Sequence, residues 1–523
     1  MLPNARRYRV PLAAMAMLVM LVLAGCGSKP AAQPQQGSPP SATPAAPPVQ
    51  QGPKSLRIAL DSDPPQLDPS LSTAYVDRQV YASLYDKLVD IDKDLKIVPM
   101  LAETWEISDD AKTYTFHLRK NVLFHDGTPF NAAAVKFNWE RDRDPKSPRA
   151  SEISSISDIQ VVDDYTIKAV LKQPYAPFLA ALSDRAGMMV SPTAAAKAGP
   201  DFGLNPVGTG PFVFKERVKG DHITLTKNPK YWRTGFPKVD EVTYKTVTDE
   251  NTRVLQLKSG ALDIADRAPE KQVPTLRTDK SVVLDESSSL QFQGMYLNNT
   301  KPPFNDKAVR QAFSWAIDRK ALVQVVFGDT ALPADSPFPP GTPADDGVPI
   351  RARDVDKAKQ LLGGKTVDVM LMIPSGSPQQ VQIGEIIQNM AKDAGINVKL
   401  QPVEFGQILA AQKDKNYDAT RVGWSGRPDP DGNIYNFIYT KAGNNDEGYS
   451  NPAADDLLNQ SRIPSEMARR KAIYSQVLQI VRDDMPYMYL YFPKDFKLMQ
   501  PAVKGYVHVL DGIIRTDAID IQK

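Results

Sequence analysis

Val367-Asp368-Val369-Met370-Leu371-Met372-Ile373 is a nearly continuous apolar run, and with the two segments downstream of it this run decides the fold. A short run this rich in β-branched and long apolar side chains reads as a strand buried on both faces. A helical pattern then occupies residues 379–393 and stops at Gly395, and residues 397–404 read as the next strand. Strand, helix and strand in that order make a βαβ unit, so part of the sheet is parallel. Upstream, Val309, Ala312, Phe313, Ala316, Ile317 and Val323 recur at three- and four-residue steps. Asp306 stands where a cap belongs and Gly328 where a stop belongs, which predicts one amphipathic helix. Ile473, Val477, Ile480 and Val481 mark another.

The first half has a different rhythm. Leu56-Arg57-Ile58-Ala59-Leu60 alternates, and so do Tyr114, Phe116 and Leu118, then Ile167, Ala169 and Leu171, then Ile223 and Leu225, then Val242 and Tyr244. These read as half-buried strands of mostly antiparallel sheets, with a helix near residues 131–140. A β-rich first half and an α/β second half predict an α/β fold of two lobes with a cleft between them, a favoured place for a ligand.

The chain has 523 residues, more than one core serves. Lys+Arg number 63 and Asp+Glu 61, so the basic excess that a nucleic-acid binder needs is missing. The one cysteine, Cys26, excludes an intrachain disulfide, a Cys-based zinc site and an iron–sulfur cluster. His117, His125, His222 and His508 have no helix-face spacing, so neither a metal nor a cofactor is expected.

Arg6, Arg7 and Arg9 precede an apolar run over residues 10–24 that ends in Leu23-Ala24-Gly25-Cys26. A basic front and a short apolar core make a signal peptide over residues 1–25. The last four residues resemble a bacterial lipobox, which implies that Cys26 is lipidated and becomes the new N-terminus. Residues 26–53, rich in Pro, Ala and Gln, bury too little apolar area to fold and read as a tether. The folded body then starts at Lys54, outside the cytoplasm and anchored to the cell membrane.

Val98-Pro99-Met100-Leu101-Ala102-Glu103-Thr104-Trp105 leads to Lys112-Thr113-Tyr114-Thr115-Phe116-His117-Leu118-Arg119 and to Phe124-His125-Asp126-Gly127-Thr128-Pro129-Phe130. Val207-Gly208-Thr209-Gly210-Pro211-Phe212, Asn228-Pro229-Lys230-Tyr231-Trp232, the stretch from Arg310 to Arg319, Asp356 to Leu362, and Gly448-Tyr449-Ser450-Asn451-Pro452 come after them in order. Together these stretches resemble the family 5 extracellular solute-binding proteins of ABC importers, the peptide- and nickel-binding group. The resemblance implies a two-lobed periplasmic-binding-protein-like fold with a hinge and an interlobe cleft. By that pattern lobe I, with an extra subdomain, spans residues 54–298, lobe II spans 299–494, and residues 495–523 return to lobe I. Crossovers are expected near residues 295–300 and 486–492. The implied protein is a monomer that captures a peptide-like or other small organic solute and passes it to a permease with separate ATPase subunits. A surface-anchored hydrolase and a carrier of chelated metal such as nickel are the alternatives.

The stretch from Arg421 to Asn433, Arg-Val-Gly-Trp-Ser-Gly-Arg-Pro-Asp-Pro-Asp-Gly-Asn, admits three readings. As a nucleophile elbow it fails at Arg427, and only His508 stands downstream to act as base. As a calcium loop, Asp429, Asp431 and Asn433 have the right spacing, but Ile434 and Thr440 occupy the glycine and closing glutamate positions. The third reading is ligand recognition, with Arg421, Trp424, Arg427, Asp429 and Asp431 as the candidate ligand-binding residues. The resemblance implies that Trp424 faces the cleft and that Arg421 matches an arginine able to hold a ligand carboxylate. Peptide binders of the family commonly carry an aspartate for the peptide amine where this chain has Arg427. Two guanidinium groups beside one aromatic wall suit an acidic ligand. Arg427 can instead pair with Asp429 or Asp431 and shape the loop. Ser375-Gly376-Ser377 reads as a helix cap whose N–H groups are also suited to an anion.

Cys26→Ser is expected to release the protein from membranes or to leave its precursor uncleaved. Fractionation and mass measurement of the mature chain check this. Membrane retention with normal processing contradicts it.

Overall fold

The computed structural model describes residues 53–522, so Cys26 and most of the tether lie outside the described residues. In the seven-stranded sheet the order is Val283–Ser287, Asp495–Met499, Ile264–Ala265, Ser55–Leu60, Glu241–Thr246, His222–Lys227 and Phe212–Val218. Alternation along Ser55–Leu60 sends Leu56, Ile58 and Leu60 into one core and Ala59 into another on the opposite face. Both neighbours of this strand run parallel to it, so the centre of the sheet departs from the antiparallel expectation. Parallel neighbours need a long crossover. Here the connection to Glu241–Thr246 carries a whole subdomain. It contains the antiparallel sheet Ala102–Ile107, Thr113–Leu118, Thr166–Leu171 and Ile156–Asp163. The helix Ala132–Asp142 belongs to it, capped where Asn131 accepts the Ala134 N–H, and its core gathers around Phe116, Trp139 and Phe178.

The six-stranded sheet of lobe II contains the βαβ unit. Val367–Pro374 runs parallel to Ile396–Val403 from Val367 opposite Ile396. The crossover helix Pro378–Lys392 buries Ile383 and Ile387, and Ser377 caps it. Ala419–Arg421 lies parallel to the other edge of Val367–Pro374. Gln293–Leu297 and Ala331–Pro333 complete the sheet on either side of Tyr487–Pro493, each antiparallel to it, and Gln293–Leu297 is also antiparallel to Ala419–Arg421.

The single amphipathic helix expected after Asp306 is two helices, Lys307–Ala316 and Arg319–Phe327. Ile317 is extended, and Asp318 accepts the Ala321 N–H at 2.9 Å. Its carboxylate satisfies a first-turn donor and starts a second helix, while the apolar positions still face one core.

The sheet changes between Ser287 and Gln293, and again between Pro493 and Asp495. The first change lies upstream of residue 298, because Gly294 to Leu297 form an inner strand of lobe II rather than the last strand of lobe I. At the crossing Ser289 donates to the Pro493 carbonyl at 2.6 Å, and Lys494 pairs with Glu286 at 2.6 Å. Arg277 also binds Glu286 and reaches across to Asp329.

Beneath this sheet Glu447 is fully buried, near Tyr296, Tyr487 and Tyr489. Neither carboxyl oxygen has a hydrogen-bond partner among the described residues. Burial therefore pushes its pKa well above the ordinary value. As pH rises past that ordinary value the unfolded chain ionises Glu447 while the folded chain resists, so folding loses up to about 1.4 kcal/mol per pH unit. Glu447→Gln should therefore gain on the wild type as pH goes from 4 to 8, in paired thermal unfolding curves. A difference that stays flat across that range overturns the assignment.

Candidate functional site

The loop from Arg421 to Asn433 leaves the six-stranded sheet beside the crossing between lobes. Ala419–Arg421 ends with Arg421 opposite Met295. Trp424 then exchanges two backbone hydrogen bonds with Phe292, 2.8 and 3.1 Å long, which fix its position on the crossing segment itself. Gly423 and Gly426 permit this course. A side chain at Gly423 meets Gln293, and one at Gly426, whose φ is +78°, meets Leu290.

Asn433, one of the calcium-loop candidates, holds the loop from behind. Its Oδ1 accepts the Arg427 N–H at 2.7 Å and Trp424 Nε1 at 3.2 Å, and its Nδ2 donates to the Arg427 carbonyl at 2.8 Å. The Trp424 ring packs edge-on against Phe437 at 5.3 Å, and the Arg427 guanidinium stacks on the ring at 4.3 Å. Arg427 Nη1 donates to the Gly426 carbonyl and to Ser425 Oγ.

Arg427 pairs with neither aspartate of its loop. Asp429 takes Arg470 through both oxygens at 2.6 and 2.7 Å, and Asp431 takes Arg462 at 2.7 and 2.8 Å. Both aspartates had the sequence pattern of ligand-binding residues, and their carboxylates are instead committed to arginines of the same lobe. Arg421 is 2% exposed. It lies beside Tyr491, with Nη2 at 3.4 Å from that hydroxyl, while Nε and Nη1 have no partner among the described residues. Ser425 meets Arg427, whereas His508 binds Asp285 at 2.8 Å, so the parts of the hydrolase reading have separate partners.

The far wall comes from lobe I. Arg462 stacks on Tyr435 of its own lobe and lies 5.2 Å from the ring of Tyr175 across the cleft. Its carbonyl accepts the Ala176 N–H at 2.7 Å. Ser377 is the helix cap that the sequence suggested, and the next turn sends Gln379 Nε2 to Glu270 of lobe I at 3.2 Å. Glu152, Asp184, Arg78 and Arg185 of lobe I are the charges that reach Arg427. Burial pulls the Arg427 pKa down to about 10. Arg78 and Asp184 also line a cavity of about 80 Å³ with Lys87, Asp511 and Arg515. Sequence reading missed this wall, because its residues are scattered through the chain far from Arg427 and carry no motif.

Residues 96–446 match the bacterial extracellular solute-binding proteins, family 5 Middle. A glutathione-binding protein, GsiB of Escherichia coli K12, is 31% identical over 490 residues, which cover 90% of this chain and 95% of GsiB. The fold is similar to the DppA periplasmic binding protein of Helicobacter pylori in complex with the peptide STSA, with a TM-score of 0.78 and 28% identity, over 90% of this chain and 98% of DppA. It is equally similar to AgaA of A. tumefaciens R10 in complex with agropinic acid, with a TM-score of 0.78 and 30% identity, over 90% of this chain and 99% of AgaA.

Asp429→Ala leaves Arg470, whose side chain is 4% exposed, without its carboxylate. Removing one partner of a buried pair costs about 3–5 kcal/mol. Urea unfolding should show a loss of that size, largely recovered when Arg470→Met is added. A loss below about 1 kcal/mol returns Asp429 to the set of ligand groups.

Proposed function

The chain belongs to the bacterial extracellular solute-binding proteins of family 5, and from that premise we propose that it is the lipid-anchored capture component of an ABC importer. It closes on a peptide-like or other small organic solute and delivers it to a permease driven by separate ATPase subunits. It acts as a monomer and performs no covalent chemistry. The anchor is Cys26, and the body works outside the cytoplasm. Among the described residues no helix is long and apolar enough to cross a membrane.

The observation that carries this reading is the loop at the seam between lobes. Trp424 and Arg427 are fixed from behind by Asn433, and they lie within reach of charges on the opposite lobe. A preorganised aromatic wall with fixed donors costs little ordering on binding. Trp424 supplies the apolar surface, and Arg421 has two unpaired donors for a polar group. Arg427 repels the free amine that an aspartate in its place attracts. The relatives bind glutathione, a tetrapeptide and agropinic acid, which supports a small solute with peptide-like dimensions. Closure results if the solute binds the closed arrangement more tightly than the open one.

Protein purified under native conditions and then denatured should release a small organic solute at near-stoichiometric amount, read by mass spectrometry. Returning that solute to refolded protein should reduce the radius of gyration in solution scattering. A radius unchanged at saturation contradicts closure, and the absence of any released or rebinding solute contradicts the function.

A further inference from the structure

One contact joins the lobes through a stacked guanidinium. Arg462 directly follows the helix Pro452–Ser461 of lobe II. Asp431 takes its edge through two bonds of 2.7 and 2.8 Å, in a pair whose side chains are 17% and 4% exposed. An edge paired in this way leaves the faces of the plane to aromatic rings. Tyr435 lies against the guanidinium at 3.0 Å and is itself stacked on Tyr439 at 4.4 Å, the two rings 12° from parallel. Both tyrosines belong to lobe II. The ring of Tyr175, at 5.2 Å, comes instead from the extra subdomain of lobe I, whose four-stranded sheet pairs with no strand of lobe II.

Tyr175 is half-buried and rides on a stiff strut. Pro174 and Pro177 bracket Tyr175-Ala176, which fixes φ at both ends and biases Ala176 to extended backbone. The Tyr175 carbonyl accepts the Tyr114 hydroxyl at 3.3 Å and the Phe178 N–H at 3.2 Å, and Phe178 is seated in the subdomain core. Beside the ring, the Ala176 N–H reaches the Arg462 carbonyl at 2.7 Å. Each half is thus held by its own lobe. Asp431 and Tyr435 fix the guanidinium, and Tyr114 and Phe178 fix the strut. Separating the lobes here loses the Tyr175 ring contact and one main-chain bond, and neither half has to reorganise when they meet again. A contact between preformed surfaces sacrifices little conformational freedom on forming.

We propose that Tyr175, Ala176 and Arg462 form a latch that holds the lobes together before any solute arrives. The closed arrangement is then a standing fraction of the solute-free protein, and the solute adds to a bias that the chain already has. Apparent affinity follows that fraction, because a site completed only on closure is available only in the closed form. The latch goes beyond the capture reading, since it is a property of the two lobes and needs no solute.

The test measures the distance between lobes in solute-free protein, refolded after denaturation. Nitroxide labels at Val161→Cys in the subdomain and Leu409→Cys in lobe II, both exposed positions, report it by pulsed electron paramagnetic resonance. Cys26→Ser removes the only other thiol. With Tyr175 in place a short-distance population should be present. Tyr175→Leu keeps apolar bulk without a π face, and it should cut the short-to-long ratio about 2- to 30-fold, the span of a cation–π contact from exposed to desolvated. Tyr175→Phe should retain most of the ratio. Circular dichroism of each variant checks that it has folded. A single long distance with Tyr175 in place overturns the latch, and so does a ratio that Tyr175→Leu leaves unchanged. Neither result touches the capture reading, which stands or falls on released and rebinding solute.

Discussion

Two antiparallel strands run through both lobes as one ribbon, and the rest of the molecule is arranged on it. Val283–Ser287 pairs with Asp495–Met499 in the seven-stranded sheet, and Gln293–Leu297 pairs with Tyr487–Pro493 in the six-stranded sheet. The same two chain segments are therefore neighbours on each side of the crossing. Between the sheets they lose their ladder and keep side-chain ties, Ser289 to Pro493 and Lys494 to Glu286. A ribbon without its ladder bends more easily than the sheets it joins, so motion concentrates there. Shear across the crossing would break the pairing in both sheets, whereas rotation about it would not.

The ribbon also explains why the loop around Trp424 is so well placed. Phe292, which exchanges backbone hydrogen bonds with Trp424, is the last residue before the lobe II strand begins. The aromatic wall is therefore attached to the moving joint and not to a free loop. Gly294 lets the joint pack closely, since a side chain there meets the Tyr487 ring and the Met488 carbonyl. Behind the wall, the pairs Asp429–Arg470 and Asp431–Arg462 take up the loop's own carboxylates, and Asn433 occupies its turning N–H and carbonyl groups. What these ties leave uncommitted in the loop is the Trp424 ring and the positive charge of Arg427 stacked on it.

Much of this was readable in advance where the information is local. The βαβ unit came from apolar periodicity and Gly395, and its strands and helix lie within a residue or two of expectation. Caps at Asp306 and Ser377 were likewise written in neighbouring residues. Other features depended on partners that sequence spacing does not reveal. Asp318 could continue a helix or start one, and tertiary packing of both halves on one core decided for a start. Gly294 to Leu297 alternated well enough to be a strand of either lobe. Asp429 and Asp431 looked free because Arg470 and Arg462 come from a different helix and its approach. For Arg427 the aromatic neighbour was legible three residues away, but the charges opposite it come from lobe I.

One lobe-to-lobe contact is made of main-chain atoms alone, the Ala176 N–H to the Arg462 carbonyl. Such a bond is indifferent to the identity of the side chains that bear it. The end point of the lobes' approach is thus partly independent of what lines the cleft between them. Substitutions that retune the cleft for a new solute can accumulate without also having to redesign where the two halves stop. That separation gives the scaffold evolutionary latitude, because recognition can drift while the shape of the shut form is inherited unchanged.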